Sequence, residues 1–456
     1  MTARQPIPGQ NPVFEDYARC VHCGLCLNAC PTYRLWNLEA DSPRGRIHQM
    51  IQTSLGDLTG KAQSNPGNGA HGPGSTTAKG PATITDSFVD HIDKCLDCRA
   101  CETACPSAVE YGKLVEHARA LIERDYQRPL LTRLARKFVF RDLLPHPHRI
   151  AALARIVRFY QRFGLQSFAR ATGILKLLGL ADRERLLPRI DDSFFFAQLG
   201  RTFPAVGPRR ARVALFAGCV AQVTFTQLNE ATIRVLTANG CEVVVPDGQL
   251  CCGALAAHAG VRDVAQELAR KNLTAFRAGD FDALVTNAAG CGSTLKEYDH
   301  LLSLDEPEHQ QAVTFGAKVR DVTEFLAALG LSAAMQPLKP IALRVTYQDS
   351  CHLLHGQKIR DAPRQLLSAI PGLEFVELPY SEVCCGSAGI YNVTQTQTSL
   401  DLLADKMHHA GATGAETIVT ANPGCLLQLR AGVQLHQTNQ EVLHVVELLD
   451  RAIVKS

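Results

Sequence analysis

The chain has 456 residues, 46% of them hydrophobic and 20% charged, so it holds apolar material for several cores in an ordinary water-facing composition. A formal net charge of +3 singles out no partner, and nothing in the sequence points to nucleic acid. Seventeen cysteines are too many for a typical cytosolic enzyme and too clustered for a secreted disulfide scaffold.

The N-terminus, Met1 to Pro12, lacks the apolar stretch of a signal peptide. The apolar uncharged run Val213 to Asn229 is broken by Gln and Thr and falls short of a bilayer span. A cytoplasmic chain with reduced, metal-competent thiols is the expectation.

Residues 1–127 hold the first eight cysteines, in two matching runs: Cys20-Val-His-Cys23-Gly-Leu-Cys26-Leu-Asn-Ala-Cys30-Pro31 and Cys95-Leu-Asp-Cys98-Arg-Ala-Cys101-Glu-Thr-Ala-Cys105-Pro106. Three thiolates spaced by two residues wrap one 4Fe–4S cubane from a tight loop. The fourth is carried away on a helical turn, and in two-cluster ferredoxins it binds the other cluster. Cys20, Cys23, Cys26 and Cys105 are therefore expected to ligate one cluster, and Cys95, Cys98, Cys101 and Cys30 the second. Structural zinc uses two pairs of ligands rather than two quartets ending in proline, and disulfides need an oxidising compartment. Short helices around loops are predicted here, with a flexible Gly/Ser/Thr-rich insert over 56–85.

Residues 128–208 form a helical basic connector. Between Arg128 and Arg212 there are 18 Lys/Arg against 5 Asp/Glu, a net +13, so the remainder carries about −10. Ile150, Leu153, Val157, Tyr160 and Gly164 mark one helical face and Arg155, Arg158 and Arg162 another. Such a helix suits an anionic membrane surface or an acidic partner, or simply a solvated connector.

Residues 209–335 and 336–456 read as copies of one α/β cysteine-rich domain. Cys219, Cys251–Cys252–Gly253 and Cys291 recur as Cys351, Cys384–Cys385–Gly386 and Cys425, at offsets of 132, 133 and 134. In each copy apolar strands deliver the cysteines at their C-terminal ends, where open α/β sheets build sites. These eight cysteines are candidates for a further cluster, for redox thiols, or for buried packing. Adjacent cysteines are poorly placed to bond each other, and the glycines allow close backbone approach. His258, His352 and His355 lie near them as ligands, proton carriers or structural residues.

No GxGxxG follows a predicted strand and no GxxxxGK[ST] is present, so electrons should enter from another subunit. The expected architecture is α+β and multidomain: an N-terminal α-helical ferredoxin-like domain, the helical connector and the two duplicated domains.

Cys20 through Cys-Pro-Thr-Tyr33, Ser42-Pro-Arg-Gly-Arg-Ile47, the second run through Ser107, Arg128-Pro-Leu and the two Cys-Cys-Gly repeats together resemble the iron–sulfur subunits of bacterial glycolate oxidase (glycolate dehydrogenase). The resemblance covers nearly the whole chain outside the insert. It implies partner subunits that carry FAD and oxidise glycolate to glyoxylate, with electrons passing through this chain towards a membrane quinone, and a chain that is not catalytic alone. It also implies a position on or near the inner face of the cytoplasmic membrane. Related modules occur in D-lactate and glycerol-3-phosphate dehydrogenases and in heterodisulfide reductases, where a Cys-Cys pair could do thiol chemistry. Heterodisulfide reductase repeats end in CxxC, but Cys291-Gly-Ser-Thr and Cys425-Leu-Leu-Gln lack the last cysteine, so a five-cysteine ligand set is incomplete at both.

Overall fold

The computed structural model describes residues 7, 9–58, 84–277, 279–331 and 338–453. Of the expected insert, 56–58 continue a helix and 59–83 lie outside the described residues.

The chain divides into two compact units, the first comprising Met1–Ile7, Asn11–Arg128 and His258–Gly260. This unit is helical, with segments Phe14–Ala18, Pro31–Trp36, Pro43–Leu58, Asp86–Asp93, Ala100–Thr103 and Tyr111–Asp125. Tyr111, Leu114, Val115, Ala118 and Ile122 recur every three or four residues and are buried with Tyr17, Ile47, Met50, Phe88 and Ile92. The Asp86–Asp93 helix starts where the Thr85 hydroxyl accepts from the Phe88 amide, at 3.2 Å.

Among the described residues, the second unit holds nine strands in two sheets: β1 (Thr202–Phe203), β2 (Ala211–Phe216), β3 (Cys241–Val244), β4 (Ala283–Thr286), β5 (Val319–Asp321), β6 (Leu343–Gln348), β7 (Leu373–Glu377), β8 (Thr417–Thr420) and β9 (Glu441–His444). The sheet orders are β1-β3-β2-β4-β5 and β7-β6-β8-β9. All pairings are parallel except β1 with β3. Leaving β1 aside, both sheets follow one plan: Val213 faces Val243 and Ala283, and Val345 faces Phe375 and Thr417. The fourth strand of each copy, β5 and β9, adds to the three apolar strands expected to deliver cysteines. One hydrophobic core runs through both copies, from Val213 and Leu236 to Val345, Ile418 and Leu449. An ion pair from Arg234 to Asp450, at 2.8 Å, also joins them.

The connector is helical over Leu130–Lys137, Phe138–Leu143 (a wider π turn), Pro147–Arg162, Leu165–Ala171, Ile174–Leu177 and Ala181–Arg185. The expected faces of the long helix are rotated. Ile150, Ala154 and Val157 pack with Ile190, Val223 and Phe194, whereas Leu153 is exposed. Arg158 turns inward, donating to the Asp191 and Asp192 carbonyls and covering the Phe194 ring at 5.0 Å. No described helix is long and apolar enough to cross a membrane.

Candidate metal centres

The two N-terminal runs fold alike in a way their side chains do not advertise. The residues two and four places after the first cysteine are left-handed in both: His22 (φ 55°) and Gly24 (φ 82°), then Asp97 (φ 54°) and Arg99 (φ 61°). Left-handed turns at non-glycine residues cost about 1–2 kcal/mol each. Alternating handedness turns successive amides inward, which builds an anion-binding concavity. At Gly24 a Cβ would sit 2.6 Å from the Arg44 guanidinium, which would have to move aside.

Cys30 is the residue before the Pro31–Trp36 helix, with Pro31 at the first helical position. That turn sends its side chain away from its own run. Cys30, Cys95, Cys98 and Cys101 line one recess together with Arg46, Arg99 and Tyr111. On the other side Cys20 lies beside Cys23, Cys26 and Cys105 in the electrostatics of the site. Burial pushes Cys26 up to about 11 and Cys101 well above the usual thiol range, the other sulfurs adding to it.

The surroundings suit an anionic sulfur-ligated group. The Asp97 amide donates to Cys95 Sγ at 3.4 Å and the Tyr111 hydroxyl at 3.7 Å. Arg46 is 1% exposed; it pairs with Asp41 at 3.2 Å and donates to the Thr32 hydroxyl and the His91 carbonyl. Thr32 Oγ1 lies 3.2 Å from Cys30 Sγ. Arg44 donates to the His22 carbonyl at 3.0 Å and pairs with Glu39 at 2.7 Å. Gly45 passes so close to the Glu39 carbonyl that a Cβ there would lie 1.9 Å from it. The Ser42–Ile47 segment, quoted above only for its resemblance, thus braces both cysteine loops. The signal that could have found this role is its pair of arginines near eight thiolates.

Each C-terminal quartet also comes together. Cys219 Sγ lies 3.4 Å from Cys251 Sγ and Cys252 Sγ 3.2 Å from Cys291 Sγ. Cys384 hydrogen-bonds with Cys351 and Cys385, and Cys385 with Cys425. Gly253 (φ 86°) and Gly386 (φ 88°) press their backbones onto Ala265 and Ser399, where a Cβ would lie 3.2 and 2.6 Å from a carbonyl oxygen. Mutual bonding and burial push Cys219, Cys251, Cys252, Cys384 and Cys425 above the usual thiol range, and Cys385 up to about 12. Where a CxxC would place its last cysteine stand Thr294, bonded to the Gly290 carbonyl, and Gln428, bonded to Ser399. None of the seventeen cysteines is in a disulfide; the seventeenth, Cys241, is fully buried in the core.

The three histidines separate. In the first unit, His258 Nδ1 lies 2.7 Å from Glu116 and 3.2 Å from Asp97. Burial works against its charge, but those two bonds raise its pKa to about 10. Three such ligand types could hold a metal ion, yet Arg119 already shares Asp97 at 3.7 Å. His355 Nε2 meets the Glu382 carbonyl at 3.0 Å, and burial lowers its pKa. His352 Nδ1 lies 3.5 Å from Cys351 Sγ.

Comparison with known proteins agrees in chain order. Residues 16–109 match the model of the 4Fe–4S dicluster domain. Residues 131–187 match the linker region of the glycolate oxidase iron–sulfur subunit, and 213–296 and 345–430 the cysteine-rich domain. The chain is 39% identical over 439 residues to a probable glycolate oxidase iron–sulfur subunit of Bacillus subtilis (strain 168), spanning 95% of this chain and 93% of the relative. It is 31% identical over 444 residues to the glycolate oxidase iron–sulfur subunit of Escherichia coli (strain K12), spanning 96% and 94%. Lactate utilization protein A of Oceanobacillus iheyensis is 32% identical over 240 residues, 52% of this chain and 96% of that one.

Proposed function

The chain belongs to the glycolate oxidase iron–sulfur subunit family, and on that premise we propose how it serves as the electron-transfer subunit of such an oxidoreductase complex. Two 4Fe–4S clusters are held by Cys20, Cys23, Cys26 and Cys105 and by Cys95, Cys98, Cys101 and Cys30. The observation that carries this reading is the recess shared by Cys30 with the three cysteines of the other run. An exchanged ligand ties the two loops together, which a pair of independent zinc sites would not need.

The clusters, when bound, carry single electrons. This chain's residues hold them, supply amide and hydroxyl donors to the sulfurs, and keep water from Cys95, Cys98 and Cys101, all buried. Electrons arrive from a partner subunit that carries FAD and oxidises glycolate to glyoxylate, and leave towards a quinone. The chain works in the cytoplasm, peripheral on the inner face of the membrane. Ten Lys/Arg and one acidic residue between Leu130 and Leu180, with many exposed apolar side chains, support that placement. Burial and mutual bonding raise the thiols of both Cys-Cys pairs and so disfavour the thiolate, the reactive form of a free nucleophile.

Iron and acid-labile sulfide per chain, with EPR of the reduced state, test this on anaerobically purified protein. At least about eight irons are expected; zinc in those pockets, or no labile sulfide, overturns it. Glycolate, D-lactate and glycerol 3-phosphate supplied to the purified complex, with dye reduction as readout, test the substrate. Faster turnover of either alternative would displace glycolate.

A further inference from the structure

The two C-terminal quartets share a backbone plan but not an electrostatic one. The repeat equates Asn272 with Lys406, 134 residues apart like Cys291 and Cys425, each on the long helix after its Cys-Cys-Gly. Both side chains are buried, at 0% and 1% exposure. Asn272 is neutral and satisfied: it accepts from the Leu250 amide and donates to the Cys251 carbonyl and the Tyr298 hydroxyl, at 2.9, 2.9 and 3.0 Å. Lys406 brings an ammonium to the equivalent place. It donates to the Tyr380 carbonyl, and no carboxylate of the described residues pairs with it. Its strongest electrostatic neighbours are Cys385 and Cys384.

Two further replacements go the same way. Ser350 and Asn422 both hydrogen-bond with Cys425, Asn422 Nδ2 at 3.5 Å from its Sγ. Their counterparts in the first repeat are Gly218 and Ala288, which have no side-chain donor. The second quartet is thus met by an ammonium, a hydroxyl and an amide where the first has an amide turned to the backbone, a glycine and an alanine.

A buried ammonium with no directly paired carboxylate is costly: burial lowers the Lys406 pKa, against the pull of Cys385, Cys384, Glu382 and Asp405, and neutral thiols do not offset it. Four thiolates on an iron–sulfur core outweigh its positive charge and leave an anion, which the ammonium and the two donors would stabilise. Resting on the reading of the chain as an iron–sulfur carrier, we infer that a third, anionic iron–sulfur cluster is held by the second quartet alone, Cys351, Cys384, Cys385 and Cys425, with Lys406 as its buried counter-charge. The first quartet, its sulfurs 3.4 and 3.2 Å apart in pairs, holds no cluster and packs the sheet ends.

The full chain purified without oxygen decides this through iron, labile sulfide and EPR of the dithionite-reduced state. The wild type should carry about twelve irons, and Cys384→Ser with Cys385→Ser about eight. Cys251→Ser with Cys252→Ser should keep about twelve. Lys406→Met should lose the same four irons, or shift that centre's potential negative, whereas Lys406→Arg keeps both. Persistence of the N-terminal cluster signals in every variant shows that the chain has folded. A wild type with about eight irons overturns this inference and leaves the two-cluster carrier standing. Loss of iron from the Cys251/Cys252 variant, or a Lys406→Met chain indistinguishable from wild type, also overturns it. A chain with no labile sulfide removes both readings.

Discussion

Arg46 is the residue on which most of the second N-terminal site hangs. Its guanidinium reaches Asp41, Thr32 and the His91 carbonyl from a position 1% exposed, and Thr32 in turn meets Cys30. Arg46→Met would leave Asp41 buried with only His91 beside it, a loss of about 3–5 kcal/mol for a broken buried pair. We expect a lowered melting temperature and loss of about four irons per chain. Arg46→Lys should lose nearly as much, because an ammonium cannot match the fork; full iron in either variant would refute the role. His444 gives a pH prediction. It caps the Val445–Ala452 helix, Nδ1 accepting from the Val446 amide, and burial lowers its pKa from 6.5 to about 4. A depressed base adds stability that is complete above pH 6.5 and is lost as pH falls towards 4, about 3 kcal/mol in all. Denaturant titrations at pH 7 and pH 4.5 should show that loss, and His444→Asn, which keeps a capping oxygen, should flatten it. Spacing alone marked the sixteen cysteines of the four quartets as candidate ligands. The left-handed His22, Asp97 and Arg99 were not, because that conformation is imposed by the wrapped loop rather than by those side chains.

At the scale of elements, apolar runs showed which strands deliver cysteines, and the repeat offset showed that they do so twice. β5 and β9 escaped because three or four residues containing Arg, Asp, Glu or His carry no strand pattern. The connector misled for a physical reason: its long helix is apolar on two sides. Ile150, Ala154 and Val157 are packed, while Ile156 (66% exposed), Phe159 and Phe163 point out, the last two rings 4.4 Å apart. Phe168, Ile174, Leu177 and Leu178 continue the exposed apolar set along the next two helices. Apolar side chains exposed among cations describe an interfacial segment, and each Lys or Arg near an anionic surface contributes about 1 kcal/mol. Phe168→Glu with Leu177→Glu should weaken co-sedimentation with phosphatidylglycerol vesicles at least about tenfold, leaving iron content unchanged. Binding should fall with salt. Unchanged vesicle binding with failure to join the flavin subunit would assign the face to protein contact instead.

At the scale of the molecule, the duplication in the sequence suggested two domains with a boundary near residue 336, but a repeat is not by itself an independent fold. The second unit shares one core across both copies. Leu228 and Leu236 of the Thr226–Ala238 helix, in the first copy, belong to the same buried cluster as Val446 and Leu449 of the Val445–Ala452 helix, in the second. Sequence periodicity identifies an apolar face but not the element that covers it, so this union could not be read from offsets. Either copy alone would expose the faces buried between them, an apolar patch of the kind that drives association. A fragment of 209–335, or of 336–456, should therefore be insoluble or bind hydrophobic dye when expressed alone. Co-expressed as separate chains, the two should recover a soluble one-to-one complex. The intact unit should unfold in one denaturant transition, since the copies share burial. Arg234→Glu, which opposes Asp450, should shift that single transition by no more than about 1 kcal/mol, because this pair is partly exposed and the shared apolar core carries the union. Two resolved transitions, or a first copy that folds alone, would mean that the shared core is a contact between finished domains.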